Sequence, residues 1–343
     1  MSPRVAAVAM VKDECDIIEH FVRWNLKVVD HIFIVDHNSH DGTPEILKRL
    51  QEEGLPLTVW KEERIDHKQA AILTEKIEEI AETKDFDFIT PIDADEFIYC
   101  SNGQFGSVLE NDIAPGHCGI IPWITYVPTS EDCLSTAPPK LHEAFLMQEL
   151  TENPISKVII PNDTALSTTL AEGNHYALFN GTPVASCSVS AALLHVPIRS
   201  APQLIKKALN GTHKLSIKES RFQNEGEHWD AITKYIRRRN YQLTLDDLTW
   251  LAKNYAKTDL ENRELICPPL TNDGPKVGVP YGELKYTELA NSSPIRTLDS
   301  LALELCNEIR SLRTTLSHER ATRAKNQNSK SLLKSLFKSI TKN

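Results

Sequence analysis

The sequence predicts an α/β fold with a doubly wound, mostly parallel sheet, and three observations favour it. Over the first hundred residues, apolar runs alternate with helical patterns, beginning and ending with a strand. The apolar runs are continuous rather than alternating, as expected for strands buried on both faces. Acidic residues follow three of the four predicted strands, and ligands of such sheets bind beyond the carboxyl ends of the strands.

Each element of this first part has its own signal. Apolar runs predict four strands, at residues 5–11, 31–36, 57–60 and 86–92. Apolar residues at helical spacing between positions 17 and 29 predict the first helix. The second helix is predicted to start with Thr43 as N-cap and Pro44 at the first helical position, and to end at Gly54. A third helix is predicted over residues 68–81, so right-handed crossovers connect parallel strands.

After about residue 100 the pattern changes, and we expect a small antiparallel addition followed by C-terminal helices. Short β-rich runs are separated by segments rich in Pro, Asn, Gly and Thr, at residues 119–127, 157–160 and 185–196. A helix over residues 202–209 is predicted to end at Gly211. Helical tendency continues over 216–255, a Pro- and Gly-rich loop covers 268–294, and an amphipathic helix is predicted over 298–317.

These patterns predict three parts of the chain. Residues 1–215 form the α/β domain, residues 216–297 a helical and loop extension, and residues 298–343 a C-terminal helix with a basic amphipathic tail. About two domain-sized units are expected for this length.

Composition excludes several classes of protein. Hydrophobic residues make up 41% of the 343 residues, enough for a buried core, and the formal net charge of -9 argues against nucleic-acid binding. The seven cysteines form no CxxC pair, so we expect neither a disulfide framework nor a zinc site. Residues 1–11 lack a signal-peptide layout, and no run reaches the roughly 18 apolar residues of a membrane span. We therefore expect a cytoplasmic protein.

The triplet Asp93-Ala94-Asp95 is the first motif that points to chemistry. It directly follows an apolar strand and precedes Glu96 and Phe97. Two carboxylates two residues apart can share one hard cation, and aspartate oxygens suit Mg²⁺ or Mn²⁺. The alternative is a solvated acidic turn, because such triplets also occur by chance.

The loop after the second strand is the second motif. Asp36 ends a buried strand and can accept hydrogen bonds from a base or a ribose. Gly42 permits a tight turn, and the helix from Thr43 offers free N–H groups to an anion. The alternative is an ordinary strand-to-helix loop.

Together these segments resemble glycosyltransferase family 2, and more closely its family 2-like bacterial branch. Three runs carry the resemblance: residues 7–14 (Ala-Val-Ala-Met-Val-Lys-Asp-Glu), the turn at residues 36–43, and Asp93-Ala94-Asp95-Glu96-Phe97. The resemblance covers roughly residues 4–215. It implies a GT-A fold, a nucleotide-diphosphate sugar donor, Mn²⁺ or Mg²⁺, and an inverting transfer.

The resemblance also assigns residues. It implies that Asp36 contacts the nucleoside and that the end of the first strand lines the base pocket. Asp13 stands where the family usually has Asn, which is a small departure. The residues expected to bind the donor by this match are Val11, Lys12, Asp13, Glu14, Asp36, Asn38, Ser39, Asp93 and Ala94.

A histidine downstream completes the predicted cation site. His195 follows an apolar run, and a neutral imidazole is an acceptable third ligand beside Asp93 and Asp95. Arg199 and either Lys206 or Lys207 are expected to neutralise the diphosphate. The alternatives are a hydrogen-bonded core histidine and solvated lysines.

Other residues compete for these roles. His175 is the rival cation ligand, and the alternative for it is a hydrogen-bonded strand histidine. Trp229, which follows His228, and Trp123 are candidates for stacking on a sugar, the alternative being core residues. An inverting transfer needs a carboxylate base, for which the candidates are Glu131, Asp132, Asp163 and Glu172. Glu172 is placed first because of its separation from the triplet. Asp132 comes next, because Glu131-Asp132 resembles the acidic pair that serves as base in some family members.

The predicted function is transfer of a sugar to a glycan or lipid-linked acceptor. A nucleotidyltransferase is an alternative, although residues 12–15 lack the Gly-rich phosphate loop expected there. A non-catalytic carbohydrate-binding or scaffold protein is another. In the tail, residues 330–343 place apolar side chains on one helical face and lysines on the other. We expect this tail to contact an anionic membrane peripherally, the alternatives being a frayed terminus or an oligomer contact.

Overall fold

A computed structural model gives the fold of most of the chain. The residues that it describes are 2–64, 69–101, 104–134, 145–148, 155–217, 226–256, 260, 270–271, 313–314 and 316–317. The predicted loop at 268–294, most of the predicted helix at 298–317 and the tail at 330–343 lie outside these residues.

Four parallel strands form one side of the sheet, with β3 at its edge. Their order is β3 (Leu57–Lys61), β2 (His31–Asp36), β1 (Val5–Val11) and β4 (Phe88–Pro91). The connecting helices are α1 (Ile18–Asn25), α2 (Thr43–Glu52) and α3 (Gln69–Thr83). The register pairs Val11 with Asp36, so β1 and β2 end side by side, and it pairs Pro91 at the end of β4 with Val8.

Both faces of this sheet are covered, which explains the continuous apolar runs. Along β1, Val5, Ala7 and Ala9 face a core cluster that contains the apolar side chains of α1 and α2. The intervening Ala6 and Val8 face a second cluster that contains those of α3. The predicted doubly wound arrangement is therefore confirmed.

Antiparallel strands extend the sheet beyond β4. β8 (Ser156–Pro161) pairs antiparallel with β4 and with β6 (Cys118–Pro128). β6 also pairs antiparallel with β7 (Phe145–Gln148), which pairs with β14 (Leu270–Thr271). The predicted α/β class with antiparallel additions is confirmed.

One further strand brings the predicted histidine to the sheet. β13 (Ala192–His195) runs parallel to β6 and antiparallel to β5 (Glu96–Tyr99), which directly follows the acidic triplet. The register pairs His195 with Glu96 and with Thr125. The predicted strand at 185–196 is split into two, because β12 (Ser186–Ser188) precedes β13 as a separate strand on β6.

Smaller elements fill the segment between β5 and β13. They are α4 (Phe105–Asp112), a 3₁₀ turn at Glu131–Leu134, α5 (Asn162–Ala165), β9 (Thr169–Leu170), a 3₁₀ turn at Glu172–Asn174, β10 (Ala177–Phe179) and β11 (Thr182–Pro183). β9, β10 and β11 form a separate antiparallel sheet.

Three helices close the described structure. α6 (Ala201–Ile217), α7 (Glu227–Arg238) and α8 (Leu245–Lys253) share a third apolar core, which includes Leu204, Ile232 and Leu248. Val127 at the end of β6 joins the same core. The helices therefore pack on the sheet through β6. The predicted boundary at residue 215 stays a prediction.

Two details of the helix predictions were wrong. α6 does not end near Gly211 but continues to Ile217, because Gly211 lies at a close contact with α7 rather than at a helix end. A Cβ at Gly211 would lie 2.8 Å from the Trp229 ring. The N-cap of α2 is Gly42 rather than Thr43, whose hydroxyl instead donates to Asp41.

Two negative findings concern the described residues. No helix among them is long and apolar enough to cross a membrane. The cysteines among them are free, namely Cys15, Cys100, Cys118, Cys133 and Cys187.

Candidate functional site

The acidic triplet forms the turn between β4 and β5. The backbone N–H of Asp93 donates to the Glu96 carboxylate at 2.9 Å, and the N–H of Glu96 donates to the Asp93 carbonyl at 3.0 Å. This tight turn presents the two aspartates differently. The Asp93 side chain is 34% exposed, whereas that of Asp95 is 3% exposed.

Asp93 contacts a buried lysine that the sequence prediction missed. Lys157 of β8 donates to Asp93 Oδ2 at 2.7 Å and to the Gly173 carbonyl at 2.8 Å, while Gln69 donates to Asp93 Oδ1 at 3.1 Å. Burial disfavours the charge of Lys157, but Asp93 and Glu96 outweigh burial and raise its pKa. Burial raises the pKa of Glu96 to about 8, although the charge of Lys157 opposes this shift.

Asp95 lies among three cationic or basic side chains. Lys207 donates to its Oδ2, Arg199 Nη1 lies 3.9 Å from Oδ2, and His195 Nε2 lies 3.9 Å from Oδ1. Burial opposes ionisation of Asp95, but the charges of Lys207 and Arg199 outweigh it and hold the pKa of Asp95 well below its usual range. Asp95 is therefore a carboxylate at neutral pH.

His195 is held between two aromatic rings. It ends β13, stacks on Trp123 with ring centroids 4.0 Å apart, and meets the edge of Tyr255 at 5.3 Å. Burial lowers the pKa of His195 to about 4, so the imidazole is neutral at pH 7. No hydrogen-bond partner reaches its Nδ1 from the part of the chain that the structure describes.

Tyr255 is another residue that the sequence prediction missed. It follows α8, and its ring also lies 6.1 Å from Trp229 and 6.2 Å from His228, centroid to centroid. The predicted sugar-stacking residues Trp123 and Trp229 thus adjoin the site, because the Trp123 ring contacts His195 and the Trp229 ring contacts Tyr255. Their role in sugar binding stays a prediction.

Arg199 lies beneath the site rather than on its surface. It is 2% exposed, and its guanidinium donates to both Asp16 oxygens, at 2.7 and 2.9 Å, and to Glu14. These bonds join the loop after β1 to the start of α6. The third nitrogen, Nη1, has no hydrogen-bond partner among the described residues and lies 3.9 Å from Asp95. The predicted contact of Arg199 with a diphosphate stays a prediction.

The predicted nucleoside residues come together where β1 and β2 end. The carboxylate of Asp36 accepts from the Ser39 N–H at 3.1 Å, and the Ser39 hydroxyl accepts from the Asp13 N–H at 2.9 Å. The carboxylate of Asp13 accepts from the His40 N–H at 2.7 Å. Asp13 therefore holds the second loop in place, and its predicted contact with the base stays a prediction.

Backbone geometry in these two loops is unusual. Asp13 has φ 57° and the exposed Asn38 has φ 54°, a left-handed conformation that Asp and Asn adopt more readily than most residues. The Val11 carbonyl accepts from the His37 N–H at 2.9 Å, which extends the β1–β2 pairing by one residue. Lys12 lies between these loops and is half-buried.

Helix α6 contributes a row of polar side chains across the strand ends. Lys206 donates to Asp41 at 3.0 Å, Lys207 contacts Asp95, and Asn210 donates to Asp13 at 3.4 Å. These positions share one helix face because residues three or four apart are neighbours on a helix. One helix thus contacts all three acidic loops.

The candidate bases differ in where they lie. Glu172 is exposed in the 3₁₀ turn whose Gly173 carbonyl binds Lys157, so it adjoins the Asp93–Lys157 pair. Glu131 and Asp132 are exposed in a 3₁₀ turn that packs on α6 and α8, and Asp163 is exposed in α5. The ring of His175, the rival cation ligand, is hydrogen-bonded through Nδ1 to the carbonyl oxygen of Ser156 at 2.8 Å.

The side chains around the triplet suit a divalent cation in their chemistry. Asp95 and the neutral His195 offer a hard oxygen and an imidazole nitrogen 3.9 Å apart, and atoms bound at about 2 Å to one cation lie at up to about 4 Å from each other. Asp93 instead faces Lys157. No three His, Cys, Asp or Glu of the described residues are arranged to hold a metal, so the predicted trio stays a prediction.

Comparison with known proteins gives only distant likenesses. No family model and no curated protein matches the chain. Solved structures that are similar include TarS residues 1–349 from S. aureus, at 11% identity and a TM-score of 0.35, covering 67% of this chain and 70% of that one.

Two other similar structures have different described activities. One is the mannosyltransferase PcManGT from Pyrobaculum calidifontis in complex with GDP-Man and Mn²⁺, at 14% identity and a TM-score of 0.32, covering 74% of this chain and 79% of that one. The other is a putative glucose-1-phosphate thymidylyltransferase from Bacillus anthracis, at 12% identity and a TM-score of 0.26, covering 69% and 84%. With TM-scores this low, none of these likenesses carries an argument about this chain.

Proposed function

We propose that the protein is a glycosyltransferase, which moves a sugar from a nucleotide-diphosphate donor to a hydroxyl of a glycan or lipid-linked acceptor. The observation that carries the proposal is the meeting of three acidic loops with a row of cationic side chains at the carboxyl edge of a parallel sheet. A nucleoside, a charged diphosphate and a cation need these groups side by side.

The nucleoside occupies the end of the site formed by the loops after β1 and β2. Asp36 and Ser39 offer acceptors to the ribose, and Val11 to Glu14 line the base, with Asn38 at the exposed rim. The carboxylate of Asp13 accepts a hydrogen bond from the N–H of His40, which fixes the distance between the two loops.

The diphosphate occupies the space next to Asp93 and Asp95. Asp95 with Asp93 and His195 would hold Mn²⁺ or Mg²⁺, and that cation would supply positive charge to stabilise the leaving diphosphate. Lys206 and Lys207 lie within reach as partial neutralisers, since their side chains are 38% and 23% exposed. Arg199 acts as a positioning residue, since it fixes Glu14 and Asp16 beneath these groups.

Glu172 is the proposed base. Its carboxylate removes the proton from the acceptor hydroxyl while that oxygen bonds to the anomeric carbon and the bond to the diphosphate breaks, which inverts the configuration. The adjoining Lys157–Gly173 contact holds the turn near Asp93. Asp132 is the second candidate, in a turn that packs on α6.

A product analysis tests the proposal. The purified chain would first be screened for thermal shifts with UDP, GDP and dTDP in Mn²⁺, and then incubated with the matching nucleotide sugars. Release of nucleoside diphosphate and free or transferred sugar is expected. Formation of pyrophosphate from a sugar phosphate and a nucleoside triphosphate would indicate a nucleotidyltransferase instead. Absence of any nucleotide binding would indicate a non-catalytic protein.

A further inference from the structure

Lys207 differs from Lys157 and Arg199, the other cations near the triplet, in its exposure and in the number of bonds that hold it. Its ammonium contacts Asp95 and lies 3.9 Å from Glu14, and its side chain is 23% exposed. Lys157 is 1% exposed and bonds both Asp93 and a backbone carbonyl. Arg199 is 2% exposed and is fixed by two carboxylates. Only Lys207 of these three combines one strong bond with a flexible, partly solvated chain.

The bond that Lys207 makes is one that a divalent cation would disturb. Asp95 is 3% exposed, so few positions are open to a second partner of its carboxylate. Oδ1 faces the neutral His195, whereas Oδ2 faces Lys207. A divalent cation bound to Asp95 would lie a few ångströms from the ammonium, and two positive charges at that range repel strongly where water is scarce.

We propose that Lys207 exchanges partners during the reaction. Its ammonium pairs with Asp95 when no divalent cation is bound, and it turns to the donor diphosphate when a cation takes Asp95. This inference rests on the proposed function. It predicts that the cation binds before the nucleotide, because cation binding sets free the ammonium that the diphosphate needs.

The exchange predicts opposite effects of one substitution. In Lys207→Met the competitor for Asp95 is gone, so Mn²⁺ alone binds at least about fivefold more tightly, the lower end of usual couplings between sites. The same variant lacks one charge-assisted bond to the diphosphate, so the nucleoside diphosphate binds about tenfold more weakly at saturating Mn²⁺.

Titration calorimetry on the full chain tests both effects. Mn²⁺ is titrated first. The second titration, at saturating Mn²⁺, uses the nucleoside diphosphate that raises the melting temperature of the wild-type protein most. Lys48→Met serves as control, because Lys48 lies on the surface of α2 in an ion pair with Glu52 and should change neither affinity. Lys207→Gln is measured alongside, and circular dichroism checks that each variant is folded.

The outcomes separate the two proposals. Tighter Mn²⁺ binding together with weaker nucleotide binding in Lys207→Met or Lys207→Gln supports the exchange. Unchanged or weaker Mn²⁺ binding in a folded variant overturns it, as does a wild-type protein that binds no Mn²⁺. A wild-type protein that binds Mn²⁺ but no nucleoside diphosphate overturns the proposed function. The exchange then falls as well, because it rests on that function.

Discussion

The acids and the cations of the site come from two separate parts of the chain. The acidic loops all follow the parallel strands of the first hundred residues, and the cations that pair with Asp93, Asp95, Glu14 and Asp41 all lie beyond residue 150. The first part is ordered by local strand and helix signals. The second part reaches the site through antiparallel pairing and one long helix, so the site is completed only when the two parts pack.

Removing Arg199 should break this arrangement most severely. Arg199→Met leaves Glu14 and Asp16 without their partner, and loss of one member of a buried ion pair costs about 3 kcal/mol or more of folding free energy. Urea unfolding measures the change. Arg199→Lys should recover only part of it, because lysine cannot bond both Asp16 oxygens in a fork. Wild-type stability in Arg199→Met would contradict a structural role for this junction.

The acidic residues of the site are tested at Asp95, which is 3% exposed. Asp95→Asn should lower sugar transfer by at least about a hundredfold, the usual effect of losing one group that stabilises the transition state, while the chain stays folded. Initial rates with saturating donor and Mn²⁺ measure it. Asp246→Asn, on an exposed site of α8, is the control and should keep wild-type rates. Full activity in Asp95→Asn would remove Asp95 from the reaction.

The attachment of α6 to α7 is tested at Gly211. A methyl group there meets the Trp229 ring at 2.8–3.0 Å, so Gly211→Ala should destabilise the fold by about 1 kcal/mol despite the better helix propensity of alanine. Thermal unfolding measures the loss. In a Trp229→Leu background the same change should become neutral or stabilising. Equal losses in both backgrounds would show that the contact does not matter.

The smallest effect concerns the start of α8. The pKa of Asp247 lies below its ordinary value. Burial alone would raise this pKa, but hydrogen bonds from Tyr235 and Thr244 to the carboxylate have the larger effect. A carboxylate with a lowered folded-state pKa stabilises the fold above the unfolded pKa, and that stability is lost as the pH falls through the folded value.

When the pH falls from about 7 to about 3, the free energy of unfolding should therefore fall by about 1 kcal/mol more in the wild type than in Asp247→Asn. This figure is the usual contribution of a helix cap. Urea midpoints at the two pH values measure it. Parallel losses in the two proteins would exclude Asp247 as the titrating group.

The sequence predicted that the acidic residues meet at one sheet edge, but it missed the buried Lys157, for a physical reason. Asp93 and Asp95 follow a buried strand, and parallel strands end at one edge, so topology alone places them together. Lys157 lies within a short apolar strand, where nothing local distinguishes a buried lysine from one at a solvated face. Its partner Asp93 is 64 residues away in the chain.

The same limit explains the other differences. Gly211 carried a helix-end signal because glycine often ends helices, but the packing of Trp229 against it is a contact between helices that no local pattern reports. The ion pairs of Arg199 with Asp16 and Glu14 were missed for the same reason, because these partners lie more than 180 residues away in the chain.

The stacking of Trp123 on His195 has an optical consequence. An indole in van der Waals contact with an imidazole and 5.6 Å from the Lys157 ammonium has an emission that depends on the charge and position of those groups. Binding of a cation to His195 would change both. Trp123 therefore serves as a built-in fluorophore for the site, and a Trp123→Phe variant would isolate its share of the signal in a stopped-flow experiment.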